Sequence, residues 1–112
     1  MNQLRHGLPL EVVRKITAVF ARYPQVKRAT LYGSRAKGNF KRGSDIDLTL
    51  HGDADLTLNV TYRILDELDD LLLPYTIDLS IFHMVADPDV IYHIQRVGVS
   101  FYVRDTAVAE HP

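Results

Sequence analysis

Two aspartates separated by one isoleucine, Asp45-Ile46-Asp47, are the residues in this sequence best suited to bind a metal ion. In a β-strand, side chains two positions apart leave the same face and lie roughly 7 Å apart. Two carboxylates placed in this way repel each other unless a cation lies between them. Carboxylate oxygens are preferred ligands of Mg²⁺. The pair therefore predicts a metal site.

A basic, glycine-containing loop precedes the aspartates and is suited to bind phosphate. Gly33-Ser34 directly follows an apolar run, and this turn can offer backbone N–H groups and a hydroxyl to phosphate oxygens. Arg35 and Lys37 add positive charge. The loop is not a Walker A motif, because no Gly-Lys-Ser/Thr follows it. We predict that these four residues bind the phosphates of a nucleotide.

A third aspartate, Asp78, lies in the middle of an alternating apolar and polar segment at 75–82. If this segment and the strand of Asp45 and Asp47 are neighbours, the three carboxylates meet on one face of the sheet. Three such ligands suit Mg²⁺, which is usually shared with substrate phosphates, so the implied substrate is a nucleoside triphosphate. Two cations roughly 3.5–4 Å apart would support phosphoryl or nucleotidyl transfer. Asp78 would also assist deprotonation of an acceptor hydroxyl.

Hydrophobic periodicity predicts the elements that position these residues. The predicted order is helix, strand, strand, helix, strand, helix and strand. In chain order, the helices begin at Pro9, Thr57 and Asp87, and the strands lie at 26–32, 45–50, 75–82 and 99–103. The last strand is expected at an edge of the sheet. The fold class is therefore α+β or α/β, with a single mixed β-sheet whose apolar face is covered by helices.

Length and composition indicate one soluble domain spanning residues 1–112, because 46% of the residues are hydrophobic. The stretch 105–112 has no pattern, and we expect it to be disordered. Cysteine is absent, which excludes thiolate catalysis and fits a reducing compartment. The amino terminus does not resemble a signal peptide, and no segment has the ~20 apolar residues of a membrane span. We expect a cytoplasmic protein.

Charge argues against general nucleic-acid binding. The sequence has 13 basic and 14 acidic residues and a net charge of −1. A protein that binds the nucleic-acid backbone by electrostatics is usually basic. Binding of phosphate should therefore be local. The histidines His51, His83 and His93 have no zinc-site spacing, so we expect structural or surface roles for them.

The same segments resemble a known family. The sequence resembles the minimal nucleotidyltransferase (MNT) branch of the DNA polymerase β-like superfamily. The likeness extends through nearly the whole chain, and its motifs are Leu-Tyr-Gly-Ser-Arg-Ala-Lys-Gly at 31–38, Gly-Ser-Asp-Ile-Asp-Leu at 43–48, Ile-Asp-Leu at 77–79 and Ile-Gln-Arg-Val-Gly at 94–98. This resemblance implies the polymerase β-like nucleotidyltransferase fold.

The resemblance also implies roles for individual residues. Gly33 and Ser34 would contact the triphosphate. Asp45, Asp47 and Asp78 would be the catalytic residues and the magnesium ligands. The sequence does not depart from the family pattern at these positions.

A protein partner is implied as well. Many short members of this family pair with a small helical HEPN-domain protein in a toxin–antitoxin system, where the MNT protein is the antitoxin. In some pairs it transfers AMP from ATP to a tyrosine of the toxin. Larger nucleotidyltransferases have a second domain that presents the acceptor, and this sequence is too short for one. We therefore expect an open metal face that another polypeptide covers.

Two other functions remain compatible with these residues. The first is a non-catalytic antitoxin or interaction module that keeps the nucleotide pocket only to dock its partner. The second is nucleotidyl transfer to a small molecule, as in aminoglycoside-modifying relatives, with a homodimer supplying the acceptor pocket. Substitution of an aspartate, tested for neutralisation and for complex formation, would separate the first from an enzyme.

Overall fold

A computed structural model describes residues 4–104. Within these residues the chain forms six strands, four helices and one 3₁₀ turn. The strands are β1 (Leu4–Arg5), β2 (Leu8–Pro9), β3 (Arg28–Tyr32), β4 (Ile46–His51), β5 (Ile77–Ile81) and β6 (Val99–Val103). The helices are α1 (Leu10–Ala21), α2 (Gly33–Lys37), α3 (Leu58–Asp70) and α4 (Pro88–Val97), and the 3₁₀ turn is Phe82–Met84.

The main sheet has four strands in the order β5-β4-β3-β6. β3 is antiparallel to both of its neighbours, whereas β4 and β5 are parallel. The sheet is therefore mixed, and the last strand lies at an edge, as predicted. The two strands that carry aspartates are direct neighbours. This adjacency was the condition for the predicted site.

α1 and α3 cover the apolar face of this sheet. Both helices are amphipathic, and their apolar residues recur at helical spacing. The buried apolar positions are Val13, Ile16, Val19 and Phe20 in α1 and Val60, Ile64 and Leu68 in α3. α3 begins where predicted, because the Thr57 hydroxyl accepts a hydrogen bond from the Val60 N–H at 3.3 Å. The acidic residues of α3 remain largely at the surface.

α4 lies on the opposite face of the sheet, which the sequence did not indicate. Its buried residue, Ile94, lies outside the main apolar cluster. Gly98 at its end is so close to Thr30 that an added Cβ would be 2.7 Å from the Thr30 methyl group. Thr49, on the polar side of β4, is fully buried and accepts a hydrogen bond from Ser80. Asp78, at the other end of β5 on this face, is exposed.

A two-stranded antiparallel sheet, β1-β2, precedes α1 and was not predicted. Its turn is His6-Gly7, with positive φ angles of 55° and 76°. Arg5 donates a hydrogen bond of 2.7 Å to the Ser100 carbonyl and so attaches the hairpin to β6. No helix within residues 4–104 is long and apolar enough to cross a membrane. The predicted disordered tail lies outside the described residues.

Candidate active site

Asp47 and Asp78 are register partners on the parallel strands β4 and β5. Asp47 is half-buried and Asp78 is exposed. Asp45 is exposed and lies immediately before β4, whereas the sequence predicted that it lies within this strand. The structure therefore brings the second and third predicted strand segments together through two directly paired aspartates.

Gly33 fits tightly against Asp47. It begins α2, directly after β3, with φ of +74°, a conformation that L side chains rarely adopt. An added Cβ would lie 2.3 Å from the Oδ2 atom of Asp47. The glycine is therefore required both by its backbone conformation and by the carboxylate beside it. The predicted phosphate-binding turn and the predicted metal ligand are in direct contact.

The electrostatic environment of Asp47 is unfavourable for its negative charge. Burial raises the pKa of its carboxyl, the charges of Asp78 and Asp45 raise it further, and His93 opposes the shift. Within residues 4–104, none of the three aspartates forms a salt bridge. A partly buried carboxylate without a cationic partner costs stability. Such groups are more frequent at functional sites than elsewhere.

Arg35 does not occupy the position expected of a phosphate ligand. Its side chain is only 2% exposed, and its guanidinium donates hydrogen bonds to the carbonyls of Ser44 and His6. Nε, Nη1 and Nη2 thus each bind a backbone oxygen, which gives Arg35 a structural role. Its predicted binding of nucleotide phosphates stays a prediction.

Ser34 and Lys37 are placed compatibly with the predicted role. Both belong to α2, where Ser34 is partly buried and Lys37 is exposed. The Ser34 carbonyl accepts hydrogen bonds from the N–H groups of Gly38 and Asn39, which close the short helix. The N-cap residue of this helix is Tyr32. Phosphate binding by Gly33, Ser34 and Lys37 stays a prediction.

Two further residues lie beside the aspartates and were not singled out from the sequence as site residues. Tyr32 is the register partner of Asp47 in β3. His93 of α4 packs edge-on against the Tyr32 ring, with ring centroids 6.2 Å apart. Tyr32 could have been recognised from the sequence, because it directly precedes Gly33 at the end of the strand that leads into the turn. His93 had no such signal, because its position depends on where α4 packs.

A different histidine, His51, lies at the far end of β4. It shares a hydrogen bond of 2.9 Å with the Thr30 hydroxyl, and its ring lies 4.9 Å from that of Phe82. Burial, followed by the charge of Arg28, lowers its pKa to about 4. The imidazole is therefore neutral at pH 7 and packs as part of the sheet surface.

The donor chemistry of the aspartates fits a hard divalent cation. The charges of Asp78 and Asp45, which add to the effect of burial in raising the pKa of Asp47, would be neutralised by a positive ion between the carboxylates. Across the described part of the chain, however, no three histidine, aspartate or glutamate side chains are already close enough together to hold a metal ion. The magnesium triad of Asp45, Asp47 and Asp78 therefore stays a prediction.

Comparison with known protein families decides the family. The model described as polymerase beta, nucleotidyltransferase, matches residues 14–107. The chain belongs to this nucleotidyltransferase family. The predicted fold class and the prediction of a nucleotidyltransferase are thereby confirmed. A comparison with curated proteins gives no significant match.

Solved structures of toxin–antitoxin complexes share the fold of this nucleotidyltransferase. One such complex with AMP-PNP is 20% identical with a TM-score of 0.66, and the match covers 85% of this chain and 76% of that chain. Another is a tri-AMPylated Shewanella oneidensis HEPN toxin in complex with MNT antitoxin. Its sequence identity is 16% and its TM-score is 0.62, and the match covers 89% of this chain and 76% of that chain.

A putative nucleotidyltransferase from Sulfolobus solfataricus has the fold as well. It is 21% identical with a TM-score of 0.54, and the match covers 86% of this chain and 81% of that chain. At identities this low, the likeness of all three structures shows the fold alone. The family assignment from the matched model and the shared fold agree with the resemblance found in the sequence motifs.

Proposed function

We propose that this nucleotidyltransferase transfers AMP from ATP to a tyrosine hydroxyl of a HEPN-domain toxin, in the presence of Mg²⁺, and so acts as its antitoxin. The observation that carries the proposal is the direct pairing of Asp47 and Asp78 beside Gly33. The similar complexes with AMP-PNP and with an AMPylated HEPN toxin support the choice of nucleotide and partner.

Each residue has a defined task in this proposal. Asp45, Asp47 and Asp78 would hold Mg²⁺, which when bound neutralises charge on the phosphates. Ser34 and the backbone N–H groups of the Gly33-Ser34 turn bind phosphate oxygens, and Lys37 adds positive charge. These contacts hold the α-phosphate in line with the acceptor.

The acceptor hydroxyl loses its proton to Asp78 as its oxygen bonds to the α-phosphorus and pyrophosphate leaves. The exposure of Asp78 suits this task, because a hydroxyl on another polypeptide can reach it from solvent. Asp47 is less exposed and is therefore better placed to hold the cation than to meet the acceptor.

Asp47→Asn tests the proposal directly. Purified protein is incubated with Mg²⁺-ATP and a candidate HEPN-domain partner protein, and the mass of the partner is measured. We expect wild type to add AMP and Asp47→Asn to be slower by more than about 100-fold, since even outer-shell changes at metal sites cost about 10–100-fold. Asp66→Asn, at an exposed position of α3 on the other side of the sheet, is the matched control and should react normally.

The same variants separate an enzyme from a non-catalytic antitoxin. If wild type adds no mass to the partner and Asp47→Asn still neutralises the toxin in cells, transfer is not its mode of action. Pyrophosphate release with small hydroxyl compounds, in the absence of any partner protein, would instead indicate a small-molecule acceptor.

A further inference from the structure

Arg35 contacts the segments that lead into both aspartate strands, although its side chain is buried. It belongs to α2, the helix of the proposed phosphate-binding residues. Its guanidinium reaches the segment before β4 and the segment before β5. We infer that Arg35 is a positioning residue that holds the phosphate-binding helix and the two aspartate strands at one fixed separation. This inference rests on the proposed function.

The hydrogen bonds of Arg35 attach α2 to the start of β4. Nε and Nη2 donate to the Ser44 carbonyl at 3.0 and 2.9 Å, and Ser44 immediately precedes Asp45. Nη1 donates to the His6 carbonyl at 3.0 Å, which adds the turn of the β1-β2 hairpin to the same cluster. One side chain thus bonds two segments that are far apart in sequence.

Two aromatic rings pack near the guanidinium and extend the cluster to β5. The guanidinium carbon lies 5.2 Å from the Phe40 ring centroid and 5.3 Å from that of Tyr75. Tyr75 lies in the segment that leads into β5, which carries Asp78. In the same region the Ile46 N–H donates a hydrogen bond of 2.9 Å to the Thr76 carbonyl. The entrances to β4 and β5 are therefore held together beside Arg35.

Lysine cannot reproduce this arrangement. A guanidinium is planar, has five donors in a fixed geometry and packs against aromatic faces, whereas an ammonium is a compact and strongly hydrated charge. Arg35→Lys would keep the charge but lose the paired bonds to Ser44. A displacement of about 1 Å in a reacting group can lower the rate by about 100-fold. The main effect should therefore be on kcat, with little change in the KM for ATP.

Arg104→Lys is the matched control. Arg104 also binds backbone carbonyls, with bonds of 2.9 Å to Val26 and 2.6 Å to Tyr23, but it follows β6 at the end of the sheet remote from Gly33. Both variants should have a lower Tm. Only Arg35→Lys should lower kcat per folded molecule, by about tenfold or more. It should also require a higher Mg²⁺ concentration for half-maximal rate.

The outcome is decided by comparing the two variants. A lower Tm with kcat and Mg²⁺ dependence within twofold of wild type would overturn the inference, because it indicates a purely structural role. An increased KM for ATP at unchanged kcat would overturn it as well, since that is the effect of losing a phosphate ligand. If Arg35→Lys does not fold, Phe40→Leu removes one aromatic contact and retains the hydrogen bonds. It should lower kcat in the same direction by a smaller factor.

A second readout keeps this inference separate from the proposed function. If wild type itself transfers no nucleotide, backbone amide NMR shifts are compared instead. Arg35→Lys should shift the amides of Asp45 and Asp78, and Arg104→Lys should leave them unchanged. Unshifted amides in Arg35→Lys would overturn the positioning role, whereas absent transfer by wild type would overturn only the proposed function.

Discussion

Asp47 and Gly33 illustrate how closely two residue types can depend on each other. The Oδ2 atom of Asp47 occupies the space in which any other residue at position 33 would place its Cβ. Gly38, at the end of the same short helix, also has a positive φ, of 87°, but nothing lies within 4 Å of an added Cβ. Substitution of Gly38 therefore costs stability only through backbone strain, whereas substitution of Gly33 must also displace the carboxylate.

Alanine substitution at both positions uses this difference. Gly38→Ala should reduce the free energy of unfolding by about 1 kcal/mol, the cost of a left-handed conformation for a residue with a Cβ. Gly33→Ala should cost at least about 2 kcal/mol, because overpacking adds about 1–3 kcal/mol, and should also abolish transfer. Urea unfolding and the transfer assay measure both effects. Equal loss of activity in the two variants would contradict the proposed contact.

The raised pKa of Asp47 should make the stability of the fold depend on pH. Its raised pKa means that the folded state holds the proton more tightly than the unfolded state does. Stability is therefore lost as the pH rises from the ordinary value of 3.8 through the raised pKa. Without divalent ions, Asp47→Asn should be more stable than wild type at pH 7, by on the order of 1 kcal/mol.

The difference in stability between Asp47→Asn and wild type should disappear below the ordinary pKa of aspartate. At such pH the wild-type carboxyl is protonated in both the folded and the unfolded state. Thermal melts at neutral and acidic pH, in EDTA, measure it. Asp66→Asn, at an exposed position of α3, should change stability by less than about 0.5 kcal/mol at either pH. If Asp47→Asn is less stable than wild type at pH 7, the ionised carboxylate is instead stabilised by its contacts in the folded protein.

At the scale of elements, α4 determines how much of the polar sheet face is open. The helix begins at the predicted Asp87, whose side chain accepts a hydrogen bond from the Asp89 N–H at 2.9 Å. Its other end passes close to Thr30 at Gly98. Between these ends it brings His93 against Tyr32. The helix therefore covers the β3 side of the face up to the candidate site, whereas Asp78 on β5 remains exposed.

Gly98→Ala should disturb this packing. Gly98 has an ordinary φ of −61°, so the cost comes from crowding and not from backbone strain. An added Cβ would lie 2.3 Å from the Ile94 carbonyl oxygen and 2.7 Å from the Thr30 methyl group. We expect a loss of about 1–3 kcal/mol in unfolding free energy, measured with urea. Gln95→Ala, at an exposed position on the same helix, should lose less than about 0.5 kcal/mol.

At the scale of the whole molecule, the arrangement of charge predicts a response to ligand. The three aspartates form no salt bridge within the described residues, and two of them are exposed. Mg²⁺ and ATP together should therefore stabilise the fold more than either alone. At about 100 times the dissociation constant, the gain should be about 2.7 kcal/mol.

Thermal shift measurements with Mg²⁺, with ATP in EDTA and with both together provide the comparison. Asp47→Asn should lose the combined effect but unfold in a single transition. Asp66→Asn should respond as wild type does. If ATP in EDTA stabilises wild type as strongly as Mg²⁺-ATP, the aspartates do not share a cation with the triphosphate.

Local patterns in the sequence determined most of the elements, because their causes lie within a few residues. Apolar periodicity located α1, α3 and α4, and the capping residues Thr57 and Asp87 placed two helix starts. Alternation located the strands that carry Asp47 and Asp78. The β1-β2 hairpin was not predicted, since each strand has only two residues and no alternation can be recognised in so short a segment.

The sequence by itself also determined the motif residues and hence the family. The Gly-Ser turn, Asp45 and Asp47 are close together in the chain, and Asp78 lies in a segment with clear strand alternation. Only the tertiary structure decided that Arg35 binds the carbonyls of Ser44 and His6, and that His93 reaches the site. The physical reason is that side-chain direction depends on partners distant in sequence. A buried guanidinium follows the carbonyls that satisfy it, and no local pattern shows where these will lie.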